Sequence, residues 1–211
     1  MRVFDEVRTN PAATIPCALI AAGAMLIAGI GGWLWWVIKD FPESGQILLH
    51  STILGSAIAL ALWGIAWLGL VYVMLTQVFR TRAYVEQLLR VMGLAMAPIS
   101  LMGLMFIPGI SLAVGIAALA FTFAMMCVAV STATTAEPGQ VLMANLVGFV
   151  VWASVLTLLA TSGGSELQPH APGVFLFNVF SDAAGDALTA ANSLPQTVPS
   201  NVPTAPVVPG R

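Results

Sequence analysis

Charge is what this sequence has least of. Only 8% of its 211 residues are charged, and seven of them are Lys or Arg. Soluble domains carry about 25% charge, and a nucleic-acid binder needs clustered basic side chains to meet phosphates. Seven scattered cations and a formal net charge of −2 supply neither, so a soluble fold and a nucleic-acid role are both excluded. Cysteine is almost absent too. Cys17 and Cys127 match no CxxC spacing and read as small buried hydrophobes, which leaves the redox compartment open. The two histidines, His50 and His170, cannot clasp a haem between them, because His170 belongs to a polar tail. No Gly-rich phosphate loop, HExxH, GxSxG or carboxylate pair is present, and short loops leave little room for a catalytic site; the chain reads as not an enzyme.

What the sequence has instead is apolar length. Hydrophobic residues make up 59% of it and the mean hydropathy is +0.95. The first charge-free stretch runs from Arg8 to Lys39, and its core, Ile15 to Ile38, exceeds the ~20 residues that span a bilayer. It is longer than the apolar part of a signal peptide, and Asp5 and Glu6 spoil a basic leader, so an uncleaved anchor is expected. A second run covers Ile53 to Phe79. From Val91 to Ala136 there are 46 uncharged residues, which as one helix would be about 69 Å long, more than twice the ~30 Å hydrocarbon core. That run must fold back, and Ile107, Pro108 and Gly109 near its middle predict a tight hairpin. Pro138 opens a last crossing that Ser162, Gly163 and Gly164 close. The expected fold is an all-α integral membrane protein with five transmembrane helices at about 15–38, 53–79, 91–107, 109–131 and 141–161. Residues 1–14 precede the bundle and 162–211 follow it.

Cytoplasmic loops keep Lys and Arg. Arg2, Arg8, Arg80, Arg82 and Arg90 fall on one side of this five-helix arrangement, against Lys39 and Arg211 on the other. The N-terminus is therefore expected in the cytoplasm, the C-terminus outside, and the chain in the cell inner membrane. Trp33, Trp35 and Trp36 then sit at the outer end of the first crossing, where indole rings favour headgroups. Between Arg82 and Arg90 the apolar Val85, Leu88 and Leu89 share one helical face while Arg82, Glu86 and Arg90 recur on another. This predicts a cytoplasmic surface turn feeding the third crossing, with Arg80, Arg82, Tyr84 and Arg90 meeting anionic headgroups or a partner; a solvated loop with topogenic arginines is the other reading. Beyond Thr161, "GVFLFNVFSDAAGDALTAAN" carries Phe177, Phe180, Ala184 and Leu188 at helical spacing, which suits an outer surface or a partner. The closing "SLPQTVPSNVPTAPVVPGR" reads as extended polyproline-type chain.

Candidate sites within the bundle are few. His50 suits either a headgroup or interhelix hydrogen bond or the axial ligand of a pigment held by a larger complex. Trp63 and Trp67, one turn apart, suit either core packing or stacking on a pigment or quinone ring. Asn145 is read as interhelical glue. Small residues recur every four positions in Ser51, Gly55 and Ala59 and in Ala24, Ala28 and Gly32, so these are the expected packing seams.

The order of these features, with "RTRAYVEQLLRVMGLAMAP", the hairpin "FIPG" and "TTAEPGQVLMANLVG", resembles the Yip domain, the Ypt-interacting protein family. The resemblance spans roughly residues 10–161 and rests on Tyr84, Leu88, Leu89, Arg90, Gly93 and Pro98. It implies a five-helix polytopic fold with a cytoplasmic N-terminus. The short segment before the first crossing is similar to prokaryotic members rather than to those that work with Rab-type GTPases. The expected function is a non-catalytic scaffold or assembly protein that binds other integral membrane proteins, within a larger membrane complex, and lipids. No intrinsic cofactor is expected. An accessory subunit of a respiratory or photosynthetic complex, contacting lipid, quinone or pigment, and a small-solute transporter or channel are the alternatives.

Overall fold

The computed structural model describes residues 2–38, 48–107 and 110–162. The hairpin residues Pro108 and Gly109, the tail with Phe177 and Phe180, and the side chains of Trp36, His50 and Ser51 lie outside the described residues. Among the described residues all regular structure is helical, and five helices are long and apolar enough to cross a membrane.

A short amphipathic helix, α1 (Arg2–Thr9), comes first and buries Phe4. Asn10 ends it and starts a single 3₁₀ turn, Pro11–Ala13, by accepting the Ala12 N–H at 3.0 Å. Helix α2 (Thr14–Ile38) is the first crossing. The second, α3, covers 48–78 and widens into π-helical turns three times, at Leu48–Leu54, Trp63–Leu68 and Met74–Val78. Such turns are rare and usually single within a helix.

Helix α3 stops at a left-handed residue. Arg80 has φ 53°, a conformation that costs an L-residue with a Cβ roughly 1–2 kcal/mol and usually falls to glycine. The turn is closed by Thr81, whose N–H and hydroxyl both donate to the Leu75 carbonyl at 2.9 Å. Helix α4 starts at Val85 and runs to Ala95, then continues as a 3₁₀ helix, Ala97–Leu104. Pro98 enters here; it has no N–H to give an α-helical bond, and the change of helix type falls at its position. Helix α5 is Ser111–Ala133 and α6 is Pro138–Ser162. Pro138 stands at the first helical position, and Gln140 reaches back to accept the Glu137 N–H at 3.2 Å, half of a capping box.

The third crossing differs from the sequence-based expectation. Its helix begins at Val85 rather than 91 and runs into the apolar span without a break. Leu88, Val91 and Met92 are all fully buried. One face of this stretch packs into the bundle while Glu86 on another stays exposed.

Helices in lipid gain little from apolar burial, so close backbone approach has to hold them. Glycines mark where this occurs. A Cβ on Gly29 would lie 2.5 Å from the Ser56 hydroxyl oxygen and 3.1 Å from the Thr52 carbonyl oxygen, across the α2–α3 seam. One on Gly31 would strike the Met102 carbonyl and the Gly103 backbone, across α2–α4, and one on Gly93 would come within 2.8 Å of the Cys17 carbonyl. Gly148 sits the same way against Trp67, joining α6 to α3 at 2.9 Å from its carbonyl. The small residues singled out by spacing, Ala24, Ala28, Gly32, Gly55 and Ala59, are all buried, yet the tightest contacts fall beside them.

Gly31→Ala should lower stability by about 1–3 kcal/mol, because backbone on both sides blocks relaxation. Gly23→Ala, with no atom within 4 Å of the added carbon, should be neutral or raise stability by up to about 1 kcal/mol through helix propensity. Thermal unfolding of the two variants in the same detergent checks the contrast.

Candidate functional site

Polar chemistry in the described residues gathers in three places, each built by helix ends or seams. The first is an arginine cluster where α1, α2, α4 and α5 meet. Arg90 lies within the α4 span and is only 5% exposed. Its Nε donates to the Thr14 hydroxyl at 2.7 Å, and that hydroxyl in turn donates to the Pro11 carbonyl at 3.0 Å. Its Nη1 donates to the Arg8 carbonyl at 2.9 Å, and Nη2 meets the Glu86 carboxylate at 3.3 Å. Arg8 repeats the arrangement one helix further on, with Nη1 donating to the Thr132 carbonyl at 2.7 Å. Thus α4 supplies the cation at the C-terminal end of α1, and α1 supplies the one at the C-terminal end of α5. Each guanidinium meets the negative end of a helix dipole and an otherwise orphaned carbonyl.

The second place is an aromatic seam between α3 and α6. The Trp67 indole N–H donates to Asn145 Oδ1 at 3.3 Å, and the Asn145 amide donates to the Val141 carbonyl at 3.0 Å. The Trp67 ring lies 5.1 Å from Phe149, edge to face, and 5.5 Å from Trp152. Phe123 of α5 closes on Phe149 at 5.7 Å. Trp152 also donates to the Ala59 carbonyl at 3.1 Å, where α3 passes into its second widened turn, so a donor from α6 enters the helix ladder there. Trp63 Nε1 is buried and has no partner in the described residues.

The third is the link between α3 and α4. Phe79, Thr81 and Ala83 are half-buried while Arg80, Arg82 and Tyr84 are exposed, a strict alternation. The backbone along it is mixed: Phe79 is helical, Arg80 left-handed at φ 53°, and Tyr84 extended, with φ −115° and ψ 126°.

Comparison with protein-family models, curated proteins and solved structures gives no match to this chain.

The structure sorts the candidate residues. Arg80, Arg82 and Tyr84 share one exposed face, but Arg90 leaves that group. It turns inward because three acceptors satisfy a guanidinium that cannot lose its charge, and the span Val85–Leu104 holds two ionisable residues, Glu86 and Arg90. Trp63 and Trp67 are 3% and 0% exposed. Their rings are enclosed by this chain's own residues, and Trp67 offers no free face to a pigment or quinone. Trp35 is 7% exposed and packs in the core, whereas Trp33 is half-buried. Spacing missed Thr14 and Arg8 as partners of Arg90, and Thr132 as the partner of Arg8. The signal for them was weak: a threonine opening α2 and an arginine closing α1.

Arg90→Gln should cost about 3 kcal/mol, since it removes charge-assisted bonds and strands the Arg8 carbonyl. Glu86→Gln should cost less than about 1 kcal/mol, because the carboxylate is 82% exposed. Asn145→Leu, which orphans the Trp67 N–H, should cost about 1 kcal/mol. Melting curves of the three variants rank them.

Proposed function

We propose that this chain is a non-catalytic membrane scaffold of the Yip-domain type, seated in the cell inner membrane with its N-terminus in the cytoplasm, that binds and organises other integral membrane proteins. The observation that supports this reading most is where the polar groups of the spans are spent. Thr52 and Ser56 donate to the Gly29 and Met25 carbonyls, Thr122 to the Ala118 carbonyl, and Asn145 and Arg90 to the partners given above. All five are buried; Thr52, Ser56, Asn145 and Arg90 join helices and Thr122 bonds back within α5, while among the described residues the Trp63 indole N–H is left without a partner. Catalysis or solute passage needs polar groups held in reserve for a substrate. Among the described residues no three His, Cys, Asp or Glu side chains gather.

The exterior suits neighbours of the same kind. Ile15, Ile65 and Leu158 are 72%, 75% and 65% exposed, giving an apolar surface to acyl chains and to other membrane helices. The five arginines on the α1 side of the bundle favour a cytoplasmic placement for that end. The Pro-rich segment is assigned the opposite side, reaching over the partners.

Solubilised in mild detergent, the protein should co-migrate with a larger assembly, and crosslinking in native membranes should attach it to other membrane proteins. Deleting residues 165–211 should weaken that association. Isolation as a bare monomer, with the deletion silent, would count against the scaffold.

A further inference from the structure

We propose that Arg80, Arg82 and Tyr84 form a binding strip for the phosphate headgroup of an anionic phospholipid. The inference does not depend on the scaffold reading. Its basis is position, spacing and the lack of any competing partner.

Position comes first. The span of α3 ends at Val78 and that of α4 begins at Val85, so the six intervening residues form a short link between two apolar span ends. They lie where apolar helix ends and headgroups begin. Val78 and Val85, at the two edges of the strip, are 58% and 45% exposed, as expected beside acyl chains. Tyr84, 64% exposed, is the side-chain type that prefers this level.

Spacing comes next. Two residues apart in the chain, the Arg80 and Arg82 Cα atoms lie within about 7 Å of each other. Long side chains from such positions can close on one phosphate from two sides, and the guanidinium fork matches phosphate oxygens. The inward members of the alternation, Phe79 and Ala83, pack on the core and hold the strip in place.

Neither arginine has an ion pair or hydrogen bond from its side chain among the described residues. The acidic groups at this end are otherwise placed: Glu86 holds Arg90, and Asp5 and Glu6 of α1 pair with neither arginine. Arg80 also occupies the left-handed position that ends α3, where glycine would be the easier residue. A cation is kept there against its backbone preference, as happens where a position serves a ligand.

The full-length protein is reconstituted into nanodiscs of mixed phosphatidylcholine and phosphatidylglycerol, and the lipids it retains are counted by native mass spectrometry. Preferential retention of phosphatidylglycerol is expected, weakening with salt. Arg80→Gln and Arg82→Gln should each reduce the preference about fivefold and together about 25-fold, whereas Arg2→Gln should leave it unchanged. Arg80→Gly is the arm that separates binding from folding. It should raise the melting temperature by about 2–4 °C while still lowering retention. Equal retention of both lipids, an unchanged double variant, or an equal loss in Arg2→Gln would overturn the proposal. So would displacement of the lipid by inorganic phosphate, which would mark the strip as a site for the free anion.

Discussion

Inside hydrocarbon, two helices have little reason to touch except how closely their backbones can come. That constraint runs through the whole bundle. Gly31, Gly93 and Gly148 each stand where a methyl group would collide with a neighbouring backbone, and Gly29 where it would collide with the Ser56 hydroxyl; they tie α2 to α3 and α4, and α6 to α3. Hydroxyls reinforce the same seams. Ser56 and Thr52, four residues apart on α3, reach the Met25 and Gly29 carbonyls, also four apart on α2. Contact distance and hydrogen bonding therefore act at the same points. The aromatic seam solves the same problem with bulk instead of closeness, filling the α3–α6 interface with Trp67, Phe149 and Trp152.

Arg90 is governed by a different necessity. Its guanidinium stays charged at any accessible pH, and burial would be costly unless its donors were met. They are met mainly by neutral acceptors, the Thr14 hydroxyl and the Arg8 carbonyl. The ion pair with Glu86 adds little, because that carboxylate is mostly in solvent. What Arg90 contributes is connection. Through Arg8 and Thr132 it links the start of α4 to α1 and α1 to the end of α5, so a short helix that could not persist alone in water becomes part of the bundle.

The crossings were legible because charges bound them. Each stretch between charges was long enough to span, and four of the five helices fall within a few residues of the expected limits. The third was misplaced at its start because Arg82, Glu86 and Arg90 look like a polar face. Such a pattern does not tell whether an arginine points to water or to acceptors supplied elsewhere in the chain, here the Arg8 carbonyl and the Thr14 hydroxyl. The seams were legible to within one residue, since small residues at four-residue spacing are frequent and only the three-dimensional register selects Gly29 over Ala28. The π-helical turns of α3 left no sequence signal.

The 3₁₀ stretch of α4 changes how this helix measures against its surroundings. The span Val85–Leu104 has 20 residues, about 30 Å if wound throughout as α-helix. Eight of those residues advance by about 2.0 Å each rather than 1.5 Å, so the rod reaches about 34 Å. Thickness is thus gained by unwinding instead of by adding residues, and the helix with the fewest residues of the five keeps pace with neighbours of 23 and 25. A membrane a few ångströms thinner could be matched by the same sequence rewinding its second half, at a cost set by hydrophobic mismatch and not by tilt.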